Sequence, residues 1–318
     1  MLSGADAPAG EEAFRSRHIA HPDHRRARAW LREALEEAIG EAGTVREEPF
    51  AYGGYADLAN LVADLPGADP DAGWVLVSAH LDSIASFDDG WVEPAWDPAP
   101  GADDDASGCA AVLEIGRALA AGTRAAGVRL VLFDAEEEGL QGASAHAASL
   151  GIPIERMYQL DPVGFDPDGL LWVVYDPRWP EVAEELQASG LSGLRVEIVD
   201  RGLIGGDERS DHAPFWAEGV PAVHLASFPQ PPTYHTMGDT MDNVSPAYTR
   251  EVAGLVLAEV AALSGAELPD VVEAPGPGGC GCASGARPAA GWLALLYGIR
   301  AARGSGRGRR RSRPPTPA

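Results

Sequence analysis

The chain contains no lysine: its 24 basic residues are all arginine, and they face 48 acids for a formal charge of −24. Such an excess of acid excludes nucleic acid as a partner, because phosphate binding requires basic side chains to neutralise the backbone. A large net charge favours solubility and says little about fold. Cysteine is nearly missing too, with three in 318 residues. Neither a disulfide framework nor a zinc-finger spacing can be drawn from Cys109 and the Cys280-Gly-Cys282 pair. Cys109 sits in an apolar helical pattern and reads as a small core residue. Apolar runs are short, and the longest downstream stretch, Trp292–Ile299, is below the length of a standard membrane span. Residues 1–12 are small and polar and read as disordered. They hold no basic segment followed by an apolar one, so no secretory leader is visible in them. Apolar residues still make up 45% of the chain, enough to build one large α/β domain with an appendage.

What the chain does have is a run of three acids, Asp103-Asp104-Asp105, between a Pro-Gly turn and a helical pattern. Adjacent carboxylates repel one another, so a fold that gathers them balances the charge with a cation or with solvent. Four other polar clusters each follow an apolar run that reads as a strand. They are His80-Leu-Asp82 after Val75–Ala79, Asp134–Glu138 after Val128–Phe133, Asp161 after Met157–Leu160, and Tyr234-His235 beyond Val220–Leu225. Clusters past the carboxyl ends of strands mark the site edge of an open α/β sheet.

The remaining elements follow in order. A helix is expected over His24–Ala42, strands over Thr44–Glu48, Tyr55–Ala63 and Trp74–Ala79, and a loop over Ser86–Pro100. In that loop Phe87, Trp91 and Trp96 either line the entrance to the site or anchor the loop. Helices are expected over Ala106–Gly122, Gly142–Leu150, Pro180–Ser189 and Tyr248–Leu263, and strands over Leu170–Tyr175 and Leu194–Val199. Alternation of strands and helices predicts an α/β fold, three αβα layers around a mostly parallel, mixed central sheet. His18, His21 and His24 are expected at the surface, His146 on a short helix, and His224 as a satisfied core histidine. After Glu267 the composition turns Pro/Gly/Cys-rich, which reads as a linker.

The motifs His80-Leu-Asp-Ser, Asp103-Asp-Asp-Ala-Ser-Gly, Glu136-Glu137 before Gly139-Leu140, Gln-Leu-Asp161, Ser210-Asp-His and Tyr234-His235-Thr resemble, in order and spacing, the co-catalytic zinc aminopeptidases of metallopeptidase clan MH, the bacterial leucyl aminopeptidase type. The resemblance spans about Arg17 to Leu263. It implies the zinc exopeptidase (phosphorylase/hydrolase-like) fold over 13–266, two zinc ions per chain, and hydrolysis of the first peptide bond of peptides with a free N-terminus. Carried over residue by residue, Asp104 bridges the zincs. Glu137 and His235 complete one, and His80 and Asp161 the other. Glu136 is the general base, Tyr234 the phenol that steadies the oxyanion, and Asp82 the acid that orients His80. Asp239 is a weaker candidate for the same service to His235, and Asp103 and Asp105 are local acceptors or caps. His212 lies in a motif near the substrate and is not counted as a ligand. Three consecutive glutamates leave a one-residue alternative, the pair Glu137 and Glu138.

Three other functions stay open. Glutaminyl cyclases share the fold and resemble this chain at Phe133–Glu137, Gly219–Leu225 and His235-Thr-Met, with a single zinc. Carboxypeptidase-type relatives share the ligand set. A non-catalytic surface protein would keep the fold alone, but here every site position is filled. The order of a Cys-containing Gly-rich turn, the apolar Trp292–Ile299 and the arginines of 307–313 resembles a MYXO-CTERM sorting tail. That resemblance implies an extracellular or cell-surface location over 267–318. A plain basic tail would leave the chain cytoplasmic. A monomer is expected.

Overall fold

A computed structural model of the chain describes residues 14–189 and 193–268. The expected disordered start at 1–12 and nearly all of the 267–318 appendage, with its sorting-tail resemblance, lie outside these residues. Among the described residues one eight-stranded sheet carries the fold, in the order β1-β2-β4-β3-β5-β8-β6-β7. The strands are β1 (Thr44–Tyr52), β2 (Tyr55–Leu65), β3 (Trp74–His80), β4 (Gly127–Phe133), β5 (Ile154–Leu160), β6 (Leu170–Tyr175), β7 (Arg195–Asp200) and β8 (Ala222–Ser227). The helices are α1 (Asp23–Ile39), α2 (Ala106–Ala120), α3 (Gln141–Ala147), α4 (Pro180–Ala188), α5 (His212–Ala217) and α6 (Pro246–Ser264).

The central strands β4, β3, β5 and β8 are mutually parallel. On one side β1 and β2 form an antiparallel hairpin, with β2 antiparallel to β4. On the other side β6 and β7 run parallel to each other and against β8. The sheet is therefore mixed, as its sequence pattern predicted, with the parallel part at its centre. Parallel strands are covered on both faces and read as near-continuous apolar runs, and all seven residues of β4 are buried. Alternate residues feed two cores, as the period of a strand requires. Val75, Val77, Leu130 and Leu132 pack with α1, α2, α4 and α6. Leu76, Val131 and Phe133 pack with α3 and α5. This gives the three expected layers.

Two helix starts are capped by side chains, the first at Asp105 as the sequence reading allowed. Asp105 accepts a hydrogen bond from the Gly108 N–H at the start of α2, and Ser245 does the same for Tyr248 ahead of Pro246 in α6. Capping of this kind stabilises a helix by about 1 kcal/mol. Gly108 has no room for a side chain, since a Cβ there would strike the Asp105 carboxylate and the Leu160 carbonyl. The start of α2 is thus pressed against the end of β5, which brings the acidic run to the edge of the sheet.

Three histidines depart from expectation. His18, His21 and His24 are 6%, 8% and 2% exposed, so they are not surface residues. His24 Nε2 lies 2.7 Å from Asp134 Oδ1, and Arg28 and the Ala59 N–H reach the other oxygen of Asp134 at 3.4 and 3.0 Å. The polar start of α1 is buried because it pins the turn after β4. Helix α5 was also missed: six residues are too few to show a period.

Candidate metal centre

Because β3, β4, β5 and β8 run the same way, their carboxyl ends share one edge of the sheet. His80 is the last residue of β3, and Asp161 follows β5 directly. Glu136 and Glu137 lie in the turn after β4, and His235 in the loop after β8. The acidic run reaches the same edge from the start of α2. The ligand atoms form two triads: His80, Asp104 and Asp161, and Asp104, Glu137 and His235. Asp104 belongs to both. His80 Nε2 is 3.0 Å from Asp104 Oδ1 and 3.3 Å from Asp161 Oδ1. His235 Nε2 is 3.1 Å from Asp104 Oδ2 and 3.1 Å from Glu137 Oε2. We call these the inner and outer positions.

A third grouping, His80, Glu136 and Glu137, is also within metal-ligand reach. Glu136 enters it with Oε2 3.9 Å from His80 Nε2. Glu136 therefore sits beside both triads and belongs to neither. Glu138 faces away, with its carboxylate 3.1 Å from His18 Nε2. This orientation favours the register that pairs Glu136 with Glu137.

The residues around the triads hold them by the backbone as much as by side chains. Asp82 accepts from the N–H groups of Glu136 and Glu137 at 3.0 and 3.2 Å, and its Oδ1 lies 3.5 Å from His80 Nδ1. It serves both the ring of one residue and the turn that carries two others. Asp105 accepts from the His80 N–H at 2.9 Å as well as capping α2. Asp239 does not attend His235; it accepts from the N–H groups of Asp103 and Asp104, each at 3.0 Å. Asp103 accepts from the Gly164 N–H at 2.6 Å.

Arg17 was not singled out by the sequence. It is fully buried beneath the acidic run and donates to the carbonyls of Leu81, Pro100 and Gly101 at 2.8, 2.6 and 2.9 Å. A buried guanidinium is tolerated only when its donors are satisfied, and here the strand end and the acidic loop satisfy them. Ser210 donates to Asp161 Oδ2 at 2.5 Å. His212 is buried outside the two triads, with Nε2 2.9 Å from the Asp207 carbonyl.

The aromatic loop resolves into separate parts. Phe87 stays 68% exposed, leans edge-on against Tyr234 at 5.8 Å, and donates its N–H to the His235 carbonyl at 2.8 Å. Trp91 anchors the loop against His18, at 5.3 Å between ring centres. Trp96 remains 66% exposed. Tyr234 stacks on His235 at 3.8 Å.

The charges do not balance within the protein. Burial, reinforced by Asp161 and Glu137, holds the Glu136 carboxyl well above the usual range. Burial and the neighbouring Asp104 push Glu137 up to about 7. Burial opposes ionisation of His235, but its hydrogen bonds to Asp104 and Glu137 win and lift it to about 10. His80 is likewise lifted well above its ordinary value, against burial, by Asp161 and Glu136. Asp104 is depressed below the usual range, again against burial, by the two histidines. Asp104 Oδ2 and Glu137 Oε1 are buried without an aligned hydrogen bond, although the first lies close to His235. Imidazole nitrogens, unpaired carboxylate oxygens and a surplus of buried negative charge are what zinc takes as ligands. The residues present fit two such ions, with Asp104 shared.

A sequence model of peptidase family M28 matches residues 60–260. Leucine aminopeptidase 1 from Coccidioides posadasii is 28% identical over 284 residues, covering 80% of this chain and 69% of that protein. Among solved structures, the LapA aminopeptidase of Legionella pneumophila superimposes with a TM-score of 0.66 at 23% identity, covering 80% and 69% of the two chains. A zinc aminopeptidase from Bacillus subtilis gives 0.52 at 25% identity, covering 64% and 49%. A glutaminyl cyclase from Bacteroides thetaiotaomicron gives 0.62 at 21% identity, covering 78% and 92%. The likenesses to LapA and to the cyclase speak to the fold alone.

Proposed function

The chain belongs to peptidase family M28 and is a hydrolytic exopeptidase, and on that premise we propose that it is an aminopeptidase that uses two zinc ions, with Glu136 as general base. The observation that carries this reading is the pair of triads sharing Asp104, with a buried carboxylate standing outside both. His80, Asp104 and Asp161 would hold one ion, and Asp104, Glu137 and His235 the other. Zinc bound there supplies positive charge that acidifies water and polarises a scissile carbonyl.

The chain's own residues do the rest. Glu136 takes a proton from the attacking water and returns it to the leaving amine. A carboxylate that holds the proton between the two steps serves both halves of that transfer. Tyr234 keeps its proton, because burial and the surrounding acids hold its pKa well above ordinary. It therefore donates a hydrogen bond where negative charge develops on the carbonyl oxygen. Asp82 keeps the His80 ring and the Glu136–Glu137 turn in register, and second-shell acceptors of this kind fix ring orientation at zinc sites.

The reading extends to a monomer exported and attached to the cell surface through 267–318, supported by the order of Gly-rich turn, apolar stretch and arginines in that segment. Membrane fractionation of the full chain against one ending at residue 266 tests this part. A cyclase is the second reading, resting on the resemblance at Phe133–Glu137, Gly219–Leu225 and His235-Thr-Met.

Amine release should be measured from peptides with free and acetylated N-termini, with zinc, after chelation, and after zinc is restored. Release from free termini only, lost on chelation and regained with zinc, is the expected result. Loss of the terminal amine from Gln-initiated peptides without hydrolysis would replace the proposal with the cyclase.

A further inference from the structure

Behind the inner position lies a polar cluster that the proposed chemistry does not use. Asp207, His212 and His224 are 1%, 0% and 6% exposed, and their side chains lie within metal-ligand reach of one another. His224 stands in the middle of β8 with both ring nitrogens engaged. Nδ1 is 2.7 Å from Asp207 Oδ2, and Nε2 is 2.6 Å from the main-chain carbonyl of Asp161. The His212 ring stacks on His224 at 4.9 Å between centres, and its own Nε2 faces the Asp207 carbonyl at 2.9 Å. Asp207 and His224 thus satisfy each other and the back of Asp161, while His212 Nδ1 is buried without a hydrogen-bond partner.

The reach of the cluster is one-sided. Asp161 is held at its N–H by the Leu225 carbonyl, at its side chain by Ser210, and at its carbonyl by His224. Among the described residues no hydrogen bond or ion pair ties Asp207, His212 or His224 to Glu137 or His235, the residues particular to the outer position. A ligand carboxylate can turn about its own Cα unless the main chain on either side is fixed. Resting on the zinc reading above, we propose that the Asp207–His224 pair is a positioning strap for Asp161, which sets how tightly the inner position holds its ion and leaves the outer position alone. The carboxylate of Asp207 aims the imidazole, the imidazole fixes the Asp161 carbonyl, and His212 seals the pair from the α5 side.

The test is zinc per purified chain after dialysis against graded chelator, with the visible spectrum of the cobalt-substituted protein as a second readout. The natural chain should retain two ions. His224→Ala should retain one, with affinity at the weakened position down by about 10- to 100-fold, the usual cost of losing a partner behind a ligand. His224→Gln keeps a donor for the Asp161 carbonyl and should recover part of the loss. Asp207→Asn, nearly the same shape, should shift affinity in the same direction by less and serves if His224→Ala does not fold. Adding His235→Ala to His224→Ala should leave no tightly held ion. Phe215→Leu, in the core beneath the same face, should lower the melting temperature and keep both ions, which separates positioning from general loosening.

Equal stoichiometry and affinity in the natural chain and in the strap variants overturns this proposal and leaves the aminopeptidase reading standing. Three ions in the natural chain also overturns it, by making the cluster a third metal position. A natural chain that binds no zinc overturns the aminopeptidase reading, and the strap falls with it.

Discussion

The two triads, the inner and the outer, are built differently. The inner one takes His80 from the last residue of β3 and Asp161 from the residue after β5, both buried behind the sheet edge. Register between parallel strands sets the distance between them, and backbone groups hold each from behind. The outer one takes Glu137 from a turn and His235 from a long loop, where His235 adopts a left-handed backbone with φ of 55°. Its side chain is 16% exposed, against 1% for His80. Loop ligands need pins of their own, and these are present: Asp82 beneath the Glu137 N–H and the Phe87 N–H on the His235 carbonyl. Ligands on strand ends inherit their placement from the sheet, while ligands on loops depend on a few local hydrogen bonds. The inner position should accordingly be the more rigid, and the outer one the more open to substrate.

The largest effect should come from the one residue that removes the distinction. Asp104→Ala takes a ligand from both positions, so zinc per chain should fall from two to none and turnover below detection, measured by metal analysis and peptide hydrolysis. Glu136→Gln leaves both triads intact, so zinc should stay at two while kcat falls by about 10³-fold, within the range for loss of a general base. Zinc loss in this variant would place Glu136 in a metal shell and refute its role. Tyr234→Phe removes a donor beside the outer position and should lower kcat by about 10²-fold with little change in KM.

A smaller effect sharpens the charge argument. Glu137 and His235 both have folded-state pKa values above their ordinary ones, at about 7 and about 10. The folded, zinc-stripped chain therefore binds more protons than the unfolded chain, for Glu137 between about 4.5 and 7 and for His235 between about 6.5 and 10. Its stability should fall as pH rises through these windows, by on the order of 5 °C in melting temperature from pH 5 to 8. Added zinc should reverse the trend, because metal binding is favoured as protons leave the ligands. A zinc-stripped chain that grows more stable over that interval would contradict the assignment. The smallest effect belongs to Glu138→Gln, which touches His18 and neither triad, and which should leave kcat/KM unchanged within error. A large loss there would restore the alternative register.

Much of the site was legible because each ligand motif is local. A strand pattern followed by His, Asp or Glu announces both the element and the edge on which it stops, and four such stretches beside one acidic run implicate a common edge. The cap at Asp105 was readable for the same reason, while the one at Ser245 was not singled out. Arg17 was not readable, since nothing near it in sequence suggests burial, and its partners lie 64 to 87 residues away. His24 was placed at the surface for want of any sign of Asp134, 110 residues downstream. Asp239 was assigned to the neighbouring His235 when its partners are the N–H groups of Asp103 and Asp104. Buried polar residues are recognised by what satisfies them, and that is a long-range property.

The sequence alone determined the layered α/β architecture and the stretches that carry the site, because hydrophobic period and residue type are local quantities, while the grouping of His80, Asp104, Asp161, Glu137 and His235 and the role of Glu136 were implied by the family resemblance. Only the tertiary structure decided that Glu138 turns away to His18, that Phe87 lies at the mouth while Trp91 anchors its loop, and that Asp207 and His224 brace Asp161 from behind. Each of these depends on which distant segments the sheet order brings side by side, and strand order is set by the packing of whole layers rather than by any one stretch of chain.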